Sequence, residues 1–215
     1  LKGCPEKVGG GFYCYYNNLT NLEGCPEKVD GDFYCHYNQL TSLKGCPKEV
    51  SSDFYCYHNK LTSLEGCPEK VGGSFDCSHN NLTSLKGCPK TVGGSFYCYN
   101  NQLTSLEGCP EKVGGNFDCH YNQLTSLEGC PEKVGGYFYC FHNQLTSLEG
   151  CPDAREIHCH NNKISSFEGI PEFFESYIDV SDNPVDEIYA LFNRDPQSIY
   201  WIREYYVIRN GNEVS

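Results

Sequence analysis

The tripeptide Phe-x-Cys returns every 21 residues. Its cysteines are Cys14, Cys35, Cys56, Cys77, Cys98, Cys119 and Cys140, and a Gly-Cys-Pro turn keeps the same beat from Cys4 to Cys151. A fixed period of this length confines the chain to a solenoid, in which each unit buries its apolar side against its neighbours without a central core. The mean hydropathy of -0.53 is therefore no sign of disorder, because the few apolar residues are strictly phased.

One unit illustrates the rest. Val29 opens it, and Asp30-Gly31 follow where most units carry Gly-Gly. Phe33 and Cys35 alternate with Tyr34 and His36, the period of two that marks a strand. Asn38, Leu40 and Leu43 come next, and Gly45-Cys46-Pro47 makes the turn. Parallel strands spaced about 4.8 Å apart place like over like, so Phe, Cys and Leu each form a ladder; nine strands, from Phe12–Cys14 to Ile178–Val180, would span roughly 40 Å. The asparagines from Asn17 to Asn183 form a polar ladder whose amides are expected to bond neighbouring backbone. Glycine pairs such as Gly72-Gly73 are expected to supply unusual backbone angles or a bulge before the strand.

Phe33-x-Cys35-x-x-Asn38-x-Leu40 resembles the leucine-rich-repeat core L-x-L-x-x-N-x-L. The Leu-x-Gly-Cys-Pro turn resembles the short convex segment of bacterial effector-type leucine-rich repeats, and similar Cys-Pro versions are typical of phage and other microbial repeat proteins. The resemblance implies a repeat solenoid with a parallel β-sheet on the concave face, an extended and turn-rich convex side, and a short C-terminal α-helical cap. On this reading residues 1–183 are a solenoid of about nine coils and 184–215 a two-helix cap. One departure matters. Val29 and Phe33 are four apart where the family spacing is three, which predicts a local bulge; Ala154 and Ile157 restore the family spacing in a coil shortened to 19 residues (Cys140 to Cys159), which predicts a kink or change of curvature near 152–157. In the cap, Val185, Ile188, Leu191 and Phe192 have helical spacing, Asp195-Pro196 reads as an N-cap with a first-turn proline, and a second helix over about 197–207 presents Ile199, Ile202 and Tyr206, with Trp201 in the same cluster.

Net charge is -12, which argues against a phosphate-backbone binder and makes nucleic acid an unsuitable partner. No apolar stretch approaches the ~20 residues of a membrane helix, so no membrane is expected as partner. The chain begins at Leu1 inside a repeat and contains no Met, which reads as a trimmed, processed or partial sequence. Sixteen cysteines could mean disulfides, metal or neither. They stand in two ladders where the family uses Leu, Ile or Val, and cysteine packs as a small hydrophobe. The cysteines read as reduced core thiols in an intracellular setting, the cytoplasm of a bacterium or an infected host cell; a rung of disulfide bonds between coils in an exported protein is the alternative. No Cys-x-x-Cys pair of a structural zinc site occurs, and no metal or cofactor is assigned.

Strand alternation sorts the variable positions into three columns. Between Phe and Cys stand Tyr13, Tyr34, Tyr55, Asp76, Tyr97, Asp118, Tyr139, His158 and Asp179; after Cys stand Tyr15, His36, Tyr57, Ser78, Tyr99, His120, Phe141, His160 and Ser181; one residue later stand Tyr16, Tyr37, His58, His79, Asn100, Tyr121, His142, Asn161 and Asp182. All seven histidines and eleven of the seventeen tyrosines fall here, on what the resemblance implies is the concave, ligand-binding face. Tyrosine gives stiff, amphipathic contact area, so the expected partner-binding residues are Tyr34, His36, Tyr37, Tyr55, Tyr57, His58, His79, Tyr97, Tyr99, His120, Tyr121, Tyr139, Phe141 and His142. A protein is the expected partner and a glycan the second class; the opposing reading is pure scaffold, since stacked tyrosines also stabilise a sheet.

The same residues admit other chemistries. His58 with His79, or His142 with His158 and His160, would be the metal candidates, and the same histidines could make binding pH-dependent. The ladder from Thr20-Asn21 to Thr146-Ser147 could match an ice or polysaccharide lattice, although its place in a turn favours backbone bonding. No catalytic residues are assigned: no phosphate loop, nucleophile elbow or zinc-hydrolase motif occurs, and Asp76 and Asp118 are two coils apart.

Overall fold

The computed structural model describes residues 1–171 and 174–199, together with the strand segments 208–209 and 213–214. The chain winds as a stack of coils, each offering a Phe-x strand to one continuous parallel sheet. That sheet has nine strands: Phe12–Tyr13, Phe33–Tyr34, Phe54–Tyr55, Phe75–Asp76, Phe96–Tyr97, Phe117–Asp118, Phe138–Tyr139, Ala154–His158 and Phe174–Asp179. Neighbours pair in register, so Phe33 lies beside Phe12 and Phe54, and Tyr34 beside Tyr13 and Tyr55. Coils are counted below by these strands.

The four-residue spacing of Val and Phe does more than raise a bulge. It breaks the strand in two, and the Val halves pair among themselves as a second parallel sheet of six strands, from Lys7–Val8 to Lys112–Val113. Single bridges, Val113 to Val134 and Lys133 to Asp153, extend it. The residues between the halves bend, and they do so close to the coil before: a Cβ on Gly93 would collide with the Gly72 carbonyl oxygen, and one on Gly114 with that of Gly93. Close approach, and not an unusual backbone angle, is what these glycines provide. The eighth coil lacks two residues, so the bend vanishes and Ala154–His158 runs as one strand; its pairing with the ninth slips by one residue between Ala154 and Glu156, a bulge at the place where the two sheets merge.

The core is the set of ladders read from the sequence. Phe33, Phe54, Phe75, Phe96, Phe117 and Phe138 have no exposed surface, and their rings follow one another at 5.0–5.9 Å. Truncating one such ring typically costs about 3–5 kcal/mol. Each Leu-x-Gly-Cys closes a turn: Cys46 N–H donates to Leu43 O at 3.0 Å, and Gly45 at φ +89° takes the position that a type II turn reserves for glycine.

The asparagine ladder binds coil to coil. Asn38 Nδ2 donates to Cys35 O at 3.0 Å in its own coil and to Cys14 O at 2.9 Å in the preceding one, while its Oδ1 accepts Leu19 N–H at 3.0 Å. The pattern repeats down to Asn183, which bonds Cys159 O at 2.9 Å and Ile164 N–H at 2.9 Å. A second polar ladder precedes each Phe. Asp32, Asp53, Ser74, Ser95 and Asn116 each accept the backbone N–H of the corresponding residue one coil on, at 2.7–3.2 Å.

All sixteen cysteines are free. Their thiols donate to carbonyls of the next coil: Cys56 Sγ to Asp76 O at 3.3 Å and Cys46 Sγ to Gly66 O at 3.0 Å. Burial pushes Cys14 up to about 11 and Cys25, Cys46 and Cys109 to about 12, and drives Cys35, Cys56, Cys77 and Cys98 well above the ordinary thiol range. These are protonated hydrophobes, without the thiolate that metal binding or nucleophilic attack requires.

After Asn183 a short helix α1, Asp186–Leu191, lies over the last coil, with Val185, Ile188 and Tyr189 buried and the Tyr189 ring set edge-on to Phe167 at 5.5 Å. Leu191, expected on the buried stripe, is 76% exposed. Asp195 does cap the turn that follows, its Oδ1 accepting Gln197 N–H at 3.0 Å, and Ile199 is buried. Trp201, Ile202 and Tyr206 lie outside the described residues. Beyond them Ile208–Arg209 pairs antiparallel with Glu213–Val214, a strand pair that the two-helix reading of 184–215 did not include. Among the described residues no helix is long and apolar enough to cross a membrane.

Candidate binding face

The three variable columns stand side by side on the outer surface of the nine-stranded sheet, as the alternation requires. They are columns of stacked rings. Between Phe and Cys, Tyr13, Tyr34 and Tyr55 follow at 5.1 and 4.6 Å, and Tyr139 stacks on His158 at 4.9 Å. After Cys, His36 is sandwiched by Tyr15 at 4.8 Å and Tyr57 at 4.4 Å; farther on Tyr99, His120, Phe141 and His160 stack at 4.6, 4.3 and 4.4 Å. In the third column Tyr16, Tyr37, His58 and His79 stack at 4.3, 4.4 and 4.1 Å, and Tyr121 lies on His142 at 4.3 Å. Tyr97 meets Tyr99 edge-on at 6.4 Å. All fourteen residues expected on this face are therefore on it, in contact with one another.

They are not equally accessible. Tyr121 and Tyr37 are exposed, while most of the others show only their outer edges. His36 is buried at 7% exposure, and its Nδ1 has no hydrogen-bond partner. Its two stacked neighbours enclose it, so it supports the ring column more than it meets a partner. Burial and the nearby His58 charge lower its pKa. The most exposed rings, Tyr16 at 67% and Tyr13 at 56%, stand in the first coil.

The third column has a feature that residue identity alone did not reveal. Every member, from Tyr16 to Asp182, has φ between +49° and +55°. That left-handed region tolerates Asn, Asp and His and penalises larger side chains, yet Tyr16, Tyr37 and Tyr121 occupy it. The asparagine that follows over-determines the turn through its bonds to both coils, and each tyrosine regains contact through stacking. Tyr16, Tyr37, His58, His79 and Lys60 line a shallow groove.

The electrostatics are one-sided. The column before Phe and the three after it hold Asp32, Asp53, Asp76, Asp118, Glu156, Asp179 and Asp182, and no Lys or Arg. Most of these acids are engaged. Asp118 meets His120 Nδ1, Glu156 meets His158 Nε2 at 3.2 Å, Asp179 accepts Ser181 Oγ at 2.6 Å and lies 3.1 Å from His160 Nδ1, and Asp53 accepts the Tyr55 hydroxyl at 3.0 Å. Asp76 differs: it accepts Ser78 N–H at 2.9 Å, and burial, aided by the Asp118 charge, pushes it up to about 6 against the pull of Ser78.

His58 and His79 stack face to face at 4.1 Å, and no group of three or more His, Cys, Asp or Glu residues among those described is arranged to hold a metal ion. The serines of the Thr-Ser ladder turn to the backbone: Ser84, Ser126 and Ser147 Oγ accept N–H groups two residues on, at 3.1–3.4 Å. The threonines stay exposed, so a lattice would have only them to match.

No family model matches the chain, and no curated protein matches its sequence. Solved structures do share its fold. YopM from Yersinia enterocolitica WA-314 superimposes with a TM-score of 0.63 at 19% identity, over 80% of this chain and 40% of that one. YopM of Yersinia pestis, described as a leucine-rich effector protein, gives 0.59 at 22% identity, over 80% and 49%. A Shigella effector leucine-rich-repeat domain gives 0.59 at 23% identity, over 80% and 81%. The chain thus spans half or less of the two Yersinia proteins. The solenoid has the leucine-rich-repeat fold, of the kind found in these bacterial effectors.

Proposed function

We propose that this chain is a non-catalytic scaffold that binds a protein partner on its concave Tyr/His sheet. The observation that carries the reading is the set of three stacked aromatic columns: rigid rings, fixed against one another at 4.1–5.1 Å, with their edges presented together on one surface. Rings held this way lose little entropy on binding and bring amphipathic contact area, the composition of interface hot spots. The fold supports the reading, since the resembled solenoids present this same surface to ligands. The thiols support the companion proposal of a reducing, intracellular compartment, because they are packed as protonated core groups.

The experiment is a comparative pull-down. Wild type is set against a variant carrying Tyr55→Ala, Tyr57→Ala and His58→Ala, and against a turn variant carrying Lys44→Ala and Lys86→Ala. Partners should be lost from the first and retained by the second. Retention of every partner by the triple variant would show that the concave sheet is not the binding surface.

A further inference from the structure

Each ring column is interrupted, and two of the interruptions fall together in the fourth coil. Asp76 replaces a ring between Tyr55 and Tyr97, and Ser78 replaces one between Tyr57 and Tyr99. Two strand spacings separate each flanking pair, about 9–10 Å, which is the room one planar group needs to lie at stacking distance from both rings. We propose that this interruption is a seat for an arginine side chain, presented by a basic segment of the protein partner. The proposal rests on the concave sheet being the binding face and names what that face selects.

Three further observations converge on the same group. First, the seat has unmet polar capacity. Ser78 has no exposed surface and its Oγ makes no hydrogen bond of ordinary geometry, while the Asp76 carboxylate accepts the Ser78 N–H and has only the Ser78 hydroxyl beside it as a further donor. In the ninth coil the same Asp-x-Ser arrangement closes on itself, Ser181 Oγ donating to Asp179 at 2.6 Å; in the fourth it does not. Second, the other acids nearby are already engaged by histidines, hydroxyls or amides. Third, no Lys or Arg stands in the four outward columns, so a cation from outside meets no resident competitor.

A guanidinium answers each requirement. It is planar, stacks on tyrosine faces, donates a fork of N–H groups to a carboxylate and has further donors for the Ser78 hydroxyl oxygen. A lysine ammonium lacks the plane, and a neutral ring would leave Asp76 and Ser78 unpaired. Because Ser78 has no exposed surface, insertion requires the half-buried Tyr57 and Tyr99 side chains to rotate away from it.

The test uses the whole chain, tetra-arginine amide as probe and tetralysine amide as its comparator, at about 150 mM salt to suppress the unspecific pull of net charge. Ring resonances of Tyr57 and Tyr99 are followed by NMR. Tetra-arginine should shift both and bind about tenfold or more tightly than tetralysine, the worth of one charged hydrogen bond. Asp76→Asn and Ser78→Tyr should each remove that preference, while Glu65→Gln, on an exposed turn, should keep it. Ser78→Tyr restores a residue that the same column holds at 15, 57 and 99, so loss of folding is not expected, and circular dichroism verifies it. Equal binding of the two peptides, absent ring shifts, or indifference to Asp76→Asn and Ser78→Tyr would each overturn the seat. If the triple alanine variant loses its protein partner while Ser78→Tyr keeps it, the seat is refuted and the binding face stands; if neither loses it, both are refuted.

Discussion

The side-chain amide of Asn80 holds the Cys56 carbonyl of the preceding coil at 3.2 Å and the Cys77 carbonyl of its own at 3.1 Å. One buried group thereby joins two coils, and its Oδ1 accepts Leu61 N–H at 2.9 Å as well. Removing it leaves buried carbonyls and an amide without partners, at about 1–3 kcal/mol each. Asn80→Ala should lower stability by about 3 kcal/mol or more in urea denaturation. Asn80→Asp should be worse, because a carboxylate would face those carbonyls with no proton to give. A loss below about 1 kcal/mol for both would mean that the ladder is incidental.

Gly87 sits at φ +87° in the turn closed by Cys88 N–H on Leu85 O at 2.9 Å. A Cβ there would stand 2.8 Å from Leu64 C and from Glu65 N, backbone atoms of the neighbouring coil that cannot swing aside. Gly87→Ala should cost about 1–3 kcal/mol, more than Lys86→Ala beside it. Equal melting temperatures for the two variants would contradict the turn assignment.

The thiols set the behaviour in alkali. Their folded pKa values lie above the unfolded thiol value near 8.5, at about 11 for Cys14 and about 12 for Cys25, Cys46 and Cys109. Above about pH 8.5 the unfolded chain sheds thiol protons that the folded chain keeps, so stability falls as pH rises, by up to about 1.4 kcal/mol per pH unit for each such thiol. Melting under reductant should drop steeply between about pH 8.5 and 10, and Cys56→Val with Cys77→Val should flatten the slope. A pH-independent melting temperature over that range would rule out the buried-thiol description.

Asp76 acts in the same direction at acid pH. Its folded pKa is raised to about 6 from an unfolded value near 3.9, so the folded state binds the proton more tightly and stability declines as pH rises between about 4 and 6. The full cost, about 1–3 kcal/mol, is present at neutral pH. Asp76→Asn should therefore be more stable than wild type at pH 7 and equal to it near pH 4. A variant less stable than wild type at pH 7 would show that the carboxylate has an ionic partner at that site.

The coil, its core ladders and the Tyr/His face were legible because each is set by spacing within one unit. Phe33, Cys35, Leu40 and Asn38 occupy the places that a strand and an inward turn demand, and the structure uses them so. The features that escaped depend on relations between units. The Val-to-Phe spacing of four was read as a bulge, since nothing in a single coil tells that the Val halves pair into a sheet of their own. Asp32, Asp53, Ser74, Ser95 and Asn116 carry no signal within one coil, because their hydrogen bonds go to the next coil. The mixture of Tyr, His, Asn and Asp in the third column read as surface variation, although the left-handed tolerance of Asn, Asp and His was a signal within it. Burial of His36 and Ser78 follows from the height of the tyrosines one coil away, and Leu191 from a helix too short to bring its last turn round to the core.

The measurement that bears most directly on the central claim is site-specific photo-crosslinking in cells, with a photoreactive phenylalanine analogue in place of Tyr57 on the concave sheet or of Lys86 on a turn. Tyr57 keeps its ring shape in that replacement, so the stack with His36 at 4.4 Å survives. The concave-face account requires a discrete protein adduct from position 57 and none from position 86. Adducts from position 86 with none from position 57 would place the partner on the turns and contradict it.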